Sequence, residues 1–242
     1  MKNVYCFWTG FYPNSEKEDC FDWASRKAYL DMNRTLRFII KNNSGNKDDV
    51  VKERKQWLLD GTDVIRNSFN KKIKDFNLWH KEVCDELIDI YSGNKLKDCN
   101  GKETSLTYGQ AQKWLNMTLK YLWLLNRLEL LEGNTKSFIC KYQDFFHIPL
   151  DSYILRYIAR KNKNKDHKFV GIDNGLGDED FSEYWNSFGS VWSAINDYDK
   201  YLEYQKKISK ITKAKGQYPL EWELEHWHKA IEFYNNNSDS KI

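Results

Sequence analysis

Residues 107–127 read Thr107-Tyr108-Gly109-Gln110-Ala111-Gln112-Lys113-Trp114-Leu115-Asn116-Met117-Thr118-Leu119-Lys120-Tyr121-Leu122-Trp123-Leu124-Leu125-Asn126-Arg127. The opening Thr107-x-x-Gln110 is a capping box. The Thr107 hydroxyl can accept from the amide three residues on, and the Gln110 side chain can reach back to the Thr107 amide. Trp114, Leu115, Met117, Leu119, Leu122, Trp123, Leu124 and Leu125 then cover almost every side of a helix. A helix that is apolar nearly all round belongs in the middle of a domain. The spacing therefore predicts a central helix over about 107–131, carrying one narrow polar stripe: Lys113, Asn116, Lys120 and Arg127.

The rest of the chain agrees with a helical fold. Its 242 residues hold only 12 glycines and 3 prolines, too few for an all-β sandwich or barrel that turns every 8–12 residues or so. Apolar residues make up 40% and charged residues 30%, which argues against a disordered tail protein. After a short extended start at Val4–Trp8, helical patterning covers about 17–42, 48–67, 70–92, 107–131, 151–163, 193–212 and 219–235. Breaks fall at 42–46, 92–101, 133–135 and 162–177, all rich in Asn, Gly, Lys or Asp. The expected fold is all-α, and the length suits one large domain or two lobes that share a cleft. No stretch approaches the ~18 apolar residues of a membrane span, and Met1–Gly10 lacks the apolar run of a signal peptide.

Charge is balanced overall, at +3, but unevenly spread. Residues 26–74 carry 13 basic and 6 acidic side chains, whereas 173–203 carry 8 acidic and 1 basic. Two readings stand: ordinary solvated helix faces, or opposed basic and acidic surfaces. The five cysteines are an odd number, widely spread and without C-x-x-C. That pattern points to reduced thiols in a cytoplasm rather than a disulfide frame or a zinc or iron–sulfur site. G-x-S-x-G and H-E-x-x-H are absent, and His226-x-His228 would point to divergent sides of a helix. The glycines of 171–180 lack the G-K-[ST] ending of a phosphate loop and read as a plain connection.

A second helix start follows His147-Ile148-Pro149-Leu150-Asp151. Pro149 holds Ile148 extended, and Asp151 can cap the helix that carries Ile154, Leu155, Tyr157 and Ile158. Lys113 lies just past the first turn of the central helix. An amine there meets the positive end of the helix dipole, and burial disfavours its charge; both suit a nucleophile. The alternative is that Lys113 merely heads a solvated stripe, and that Asp151 is a cap and nothing more.

Together the two segments, Gly109-Gln110-Ala111-Gln112-Lys113 and Pro149-Leu150-Asp151-Ser152-Tyr153-Ile154-Leu155-Arg156, resemble the helix-hairpin-helix DNA glycosylase superfamily. The Ala-Gln-Lys run and the long interval between Lys113 and Asp151 look closest to the archaeal 8-oxoguanine DNA glycosylase/lyases. The likeness covers about 107–158, with the hairpin and catalytic segment near 105–160. Two features depart from it. Ser105-Leu106-Thr107-Tyr108-Gly109 stands where the family has L-P-G-V-G, and the iron–sulfur cysteines of some members are missing.

The resemblance implies one unit over 1–242 built as two helical lobes around a central cleft, and excision of a damaged purine, 8-oxoguanine above all, from double-stranded DNA by a cytoplasmic monomer without cofactor, metal or membrane. The nucleotide is flipped out of the stack. Lys113 is the implied nucleophile and Asp151 the residue that offsets charge on the sugar. The helix start at Thr107, Gly109 and Gln110 is expected to offer amides to a DNA phosphate, with Lys120, Arg156 and Arg160 as further backbone contacts or, alternatively, solvated cations. Trp8, Trp192, Trp222 and His147 are candidate walls of a base pocket; core packing is the competing reading for the tryptophans. A helical DNA-binding or protein-interaction module without lyase chemistry remains the alternative for the whole chain.

Overall fold

The structure is a computed structural model, and it describes residues 19–38, 47–93, 95–98, 100–160, 173–177, 180–181, 183–184, 188 and 191–236. Among these, eight α-helices and one two-stranded ribbon are present, so the all-α expectation holds. The helices are α1 (Cys20–Asn33), α2 (Lys47–Ser68), α3 (Phe76–Ile90), α4 (Tyr108–Arg127), α5 (Gly133–Tyr142), α6 (Ser152–Ile158), α7 (Tyr198–Ala214) and α8 (Pro219–Asn236). Strands β1 (Leu96–Lys97) and β2 (Glu103–Thr104) pair antiparallel, with Leu96 opposite Thr104. The chain divides into two compact units. The first holds residues up to Leu106 and Lys113–Gln143; the second holds Thr107–Gln112 and the chain from Asp144 onward.

The first unit is organised around Trp114 of α4, which is fully buried. Its indole N–H donates to the Ser25 carbonyl at 3.0 Å and lies 3.2 Å from the Ser25 hydroxyl, which meets Thr62 at 2.9 Å. Gly61 of α2 lies flat on the same ring; a Cβ there would sit 2.1 Å from it. Only glycine lets α2 come that close. A second aromatic group, Phe69, Trp79 and Phe138, joins α5 to α3, with Phe69 and Phe138 stacked at 3.8 Å.

The second unit buries α6, α7 and α8 against one another through Ile154, Ile158, Tyr201, Ile208, Trp222 and Phe233. The extended run before α6 is also buried, so its backbone needs partners. Gln205 of α7 supplies both for Ile148: its carbonyl oxygen accepts the amide at 3.0 Å and its NH₂ donates to the carbonyl at 2.9 Å. Beyond α6, the Asn174 side chain donates to the Ile158 carbonyl at 3.0 Å and closes the helix end. Trp222 donates to the Asn174 carbonyl at 3.1 Å.

Several expected boundaries moved. The helix expected over 17–42 stops at Asn33, because Arg37 and Phe38 pair with the ribbon instead: the Lys97 amide donates to the Arg37 carbonyl at 2.8 Å, and Phe38 bridges Leu96. The helices expected to begin at 70 and 193 begin at Phe76 and Tyr198, capped by Asp75 and Asp197. Residues 133–135, read as a break, are the first turn of α5. The extended start expected at Val4–Trp8 lies outside the described residues.

Candidate functional site

The start of α4 closes as its sequence predicts. The Gln110 amide donates to the Thr107 hydroxyl at 3.1 Å, and the Thr107 amide donates to the Gln110 side-chain oxygen at 3.0 Å. The same hydroxyl donates to the Ser193 carbonyl at 2.7 Å, and the Gly109 amide donates to the Ile195 carbonyl at 2.8 Å. Gly109 is fixed by space as well: a Cβ there would fall 1.8 Å from the Trp192 carbonyl oxygen. This corrects one expectation. The amides of Thr107, Gly109 and Gln110 were assigned to a DNA phosphate, but all three donate to acceptors within the second unit.

The polar stripe of α4 differs from its solvated reading. Lys113 is 6% exposed, Asn116 0% and Lys120 8%; only Arg127, over the Trp123 ring, faces water. Within the first unit, Asn116 holds its oxygen 2.9 Å from His80 Nε2, and Cys84 Sγ lies 3.7 Å from His80 Nδ1. A thiol, an imidazole and an amide in a row have the composition of a cysteine nucleophile with its base and orienter. Here all three are closed off from solvent. Burial pushes the Cys84 thiol well up and pulls His80 down to about 4, against the Asn116 hydrogen bond. The row is therefore a neutral, buried brace. The His80–Cys84 spacing of four residues was legible as a shared helix face; their meeting with Asn116 was not.

Asp151 is the cap of α6. It has extended backbone, φ −139° and ψ 177°, and one carboxylate oxygen accepts the Ile154 amide at 2.9 Å. Four residues before it, His147 is 5% exposed, with Nδ1 3.0 Å from the Tyr201 hydroxyl. Arg156 is buried with its guanidinium 5.7 Å from the Tyr234 ring centre; burial lowers its pKa and Tyr234 opposes the shift. Arg160 has left-handed backbone, φ 51°, and its guanidinium donates to the Gly177 carbonyl and, at 3.4 Å, to the Asn174 side chain. Both arginines are thus engaged inside the second unit, and neither is simply a solvated cation.

The aromatic candidates separate. Trp222 is 1% exposed and stacks on His226 at 4.9 Å and 15°. It and His147 are core, which corrects their assignment to a pocket wall. Trp192 is half-buried against the second unit's core, and Trp8 lies outside the described residues. Gly175, in the loop read as a plain connection, sits against His226: a Cβ there would be 2.6 Å from Nε2. His226 is buried, with Nδ1 2.8 Å from the Trp222 carbonyl, and His228 is exposed. Among the described residues no group of three or more His, Cys, Asp or Glu side chains is placed to hold a metal, and no helix is long and apolar enough to cross a membrane. Lys113 belongs to the first unit and Asp151 to the second. The chain matches no protein-family model, no curated protein and no solved structure.

Proposed function

We propose that the chain is a lysine-dependent DNA glycosylase with lyase capacity that removes a damaged purine, 8-oxoguanine foremost, from duplex DNA, acting as a cytoplasmic monomer. The observation that carries the reading is the setting of Lys113: an amine 6% exposed, on a 20-residue helix, one turn past a reciprocally closed capping box. A lysine nucleophile has to be held out of bulk water and aimed by a rigid element. The resemblance of Gly109–Lys113 and Pro149–Arg156 to the glycosylase segments adds the chemistry.

In that chemistry the neutral amine of Lys113 attacks C1′ of the flipped nucleotide. The N-glycosidic bond breaks, and its electron pair leaves on the base, which takes up a proton. The amine gives up its protons as the sugar ring opens to a Schiff base. Asp151 offsets the positive charge that develops on the sugar and relays a proton. Loss of a C2′ proton then expels the 3′-phosphate and nicks the strand.

One observation favours a second reading, a helical DNA-binding or interaction module without lyase chemistry. The α4 amides that a helix-hairpin-helix protein would aim at a phosphate donate to protein acceptors. Base release from an 8-oxoguanine duplex separates the two. The first reading expects release by the wild type, loss in Lys113→Gln, and a rate lower by about 10²–10⁴-fold in Asp151→Asn. Salt-sensitive duplex binding with no release from any damaged purine selects the second.

A further inference from the structure

The C-terminal half of α7 carries an excess of charge that the fold only partly uses. Residues 206–215 hold five lysines and no acid. Two of them fasten the neighbouring loop: Lys207 donates to the Asp180 carbonyl at 2.5 Å and Lys215 to the Gly175 carbonyl at 2.6 Å. Lys213 lies in the last turn, where a cation suits the helix dipole, and sits 4.8 Å from the Phe145 ring centre. Lys206 and Lys210 have no such explanation. Both are exposed, and neither forms an ion pair among the described residues. They stand four residues apart on one face, where like charges repel. The opposite face, with Tyr201, Tyr204 and Ile208, is the one buried in the core.

Lys206, Lys210 and Lys213 therefore form a stripe of cations about 10 Å long at ~1.5 Å rise per residue. Beside it, still within the second unit, runs a cleft of about 620 Å³ with Leu176, Ile211 and Ala214 on its walls, Lys210 and Lys215 at its edge, and Asp180 as its acidic member. A row of exposed cations that costs the helix repulsion fits a polyanion. Lysines contact phosphates as point charges without reading sequence, and duplex DNA presents about one charge per 1.7 Å of axis. We infer that this face of α7 grips the phosphate backbone of duplex DNA. The inference rests on the reading of the protein as DNA-acting and adds a contact surface to it.

The test is a salt titration of full-length protein binding to a labelled 20-base-pair 8-oxoguanine duplex. It compares the wild type, the triple variant Lys206→Gln/Lys210→Gln/Lys213→Gln and the corresponding triple Lys→Arg variant, with thermal melts to confirm folding. The Gln variant is expected to lose about 2–3 from the slope of log K against log salt, at ~0.9 per phosphate contact, and about tenfold or more in affinity near 0.1 M salt. The Arg variant keeps both. A wild type that binds with a salt slope the Gln variant shares overturns the α7 surface and leaves the proposed function standing. A wild type with no salt-dependent duplex binding overturns both.

Discussion

Lys113 and Asp151 are the two residues on which the proposed chemistry depends, and their surroundings differ. Lys113 rides on a helix braced before and after it. Before it lie the Thr107–Gln110 box, the Ser193 and Ile195 carbonyls and the tight seat of Gly109; one turn after it lies the buried Asn116–His80–Cys84 row. Asp151 is itself a brace, a half-buried carboxylate that accepts the Ile154 amide and so opens a seven-residue helix. A nucleophile gains from an inflexible seat, because small misplacements of reacting atoms are costly. A carboxylate that answers a developing charge needs only to stay ionised and near. The contrast makes the Lys113 side sensitive to changes that touch neither the amine nor a substrate, and the Asp151 side tolerant of them.

The largest effect is expected at Gly109. Alanine there drives a methyl against the Trp192 carbonyl oxygen, a backbone atom that cannot rotate away. Chemical denaturation should show a loss of about 3 kcal/mol or more. An unchanged midpoint would mean that the Ser193–Ile195 turn yields easily.

Acid should weaken the brace beyond Lys113 by a similar amount. His80 sits at about 4 in the fold against about 6.5 unfolded. The unfolded chain binds more protons between these values, so this contribution is complete above pH 6.5 and is lost as the pH falls towards 4. At ~1.4 kcal/mol per unit the total is roughly 3 kcal/mol. The stability difference between wild type and His80→Gln should shrink over that window; a difference constant from pH 7 to 4 would show that His80 is not held neutral.

The two caps give the smaller effects and the sharpest contrast. Thr107→Ala removes an acceptor for Gln110 and a donor to Ser193 together, and should cost about 1–2 kcal/mol. Asp151→Asn keeps an equally good cap and should change stability by less than ~0.5 kcal/mol, while base release falls. A large stability loss in Asp151→Asn would make the carboxylate structural and remove the reason to assign it to chemistry.

What the sequence made legible follows the range of the interactions. The capping box at Thr107, the Asp151 cap and the burial of α4 depend on residues within a turn or two of one another, and all are present. Caps at Asp19, Asp75 and Asp197 were equally legible as aspartates before apolar runs, and they set the true starts of α1, α3 and α7. Helix α5 was hidden because Glu132 makes no side-chain cap bond and, of its ten residues, only Phe138 and Ile139 are buried. At the candidate site the local pattern identified Lys113 but left open whether it is buried, as it proves to be, or heads a solvated stripe. It did not show that the Gly109 amide would be taken by the Ile195 carbonyl, or that Trp222 would be sealed behind Asn174. Those are tertiary contacts between residues tens of positions apart, and periodicity carries no trace of them.

The most direct test is to identify the trapped lysine. The wild-type protein is incubated with an 8-oxoguanine duplex and sodium borohydride, and the cross-linked peptide is then mapped by mass spectrometry. The account predicts a single reduced adduct on Lys113, present in Asp151→Asn at a lower yield and absent in Lys113→Gln. An adduct on another lysine, or base release that persists in Lys113→Gln, would contradict it.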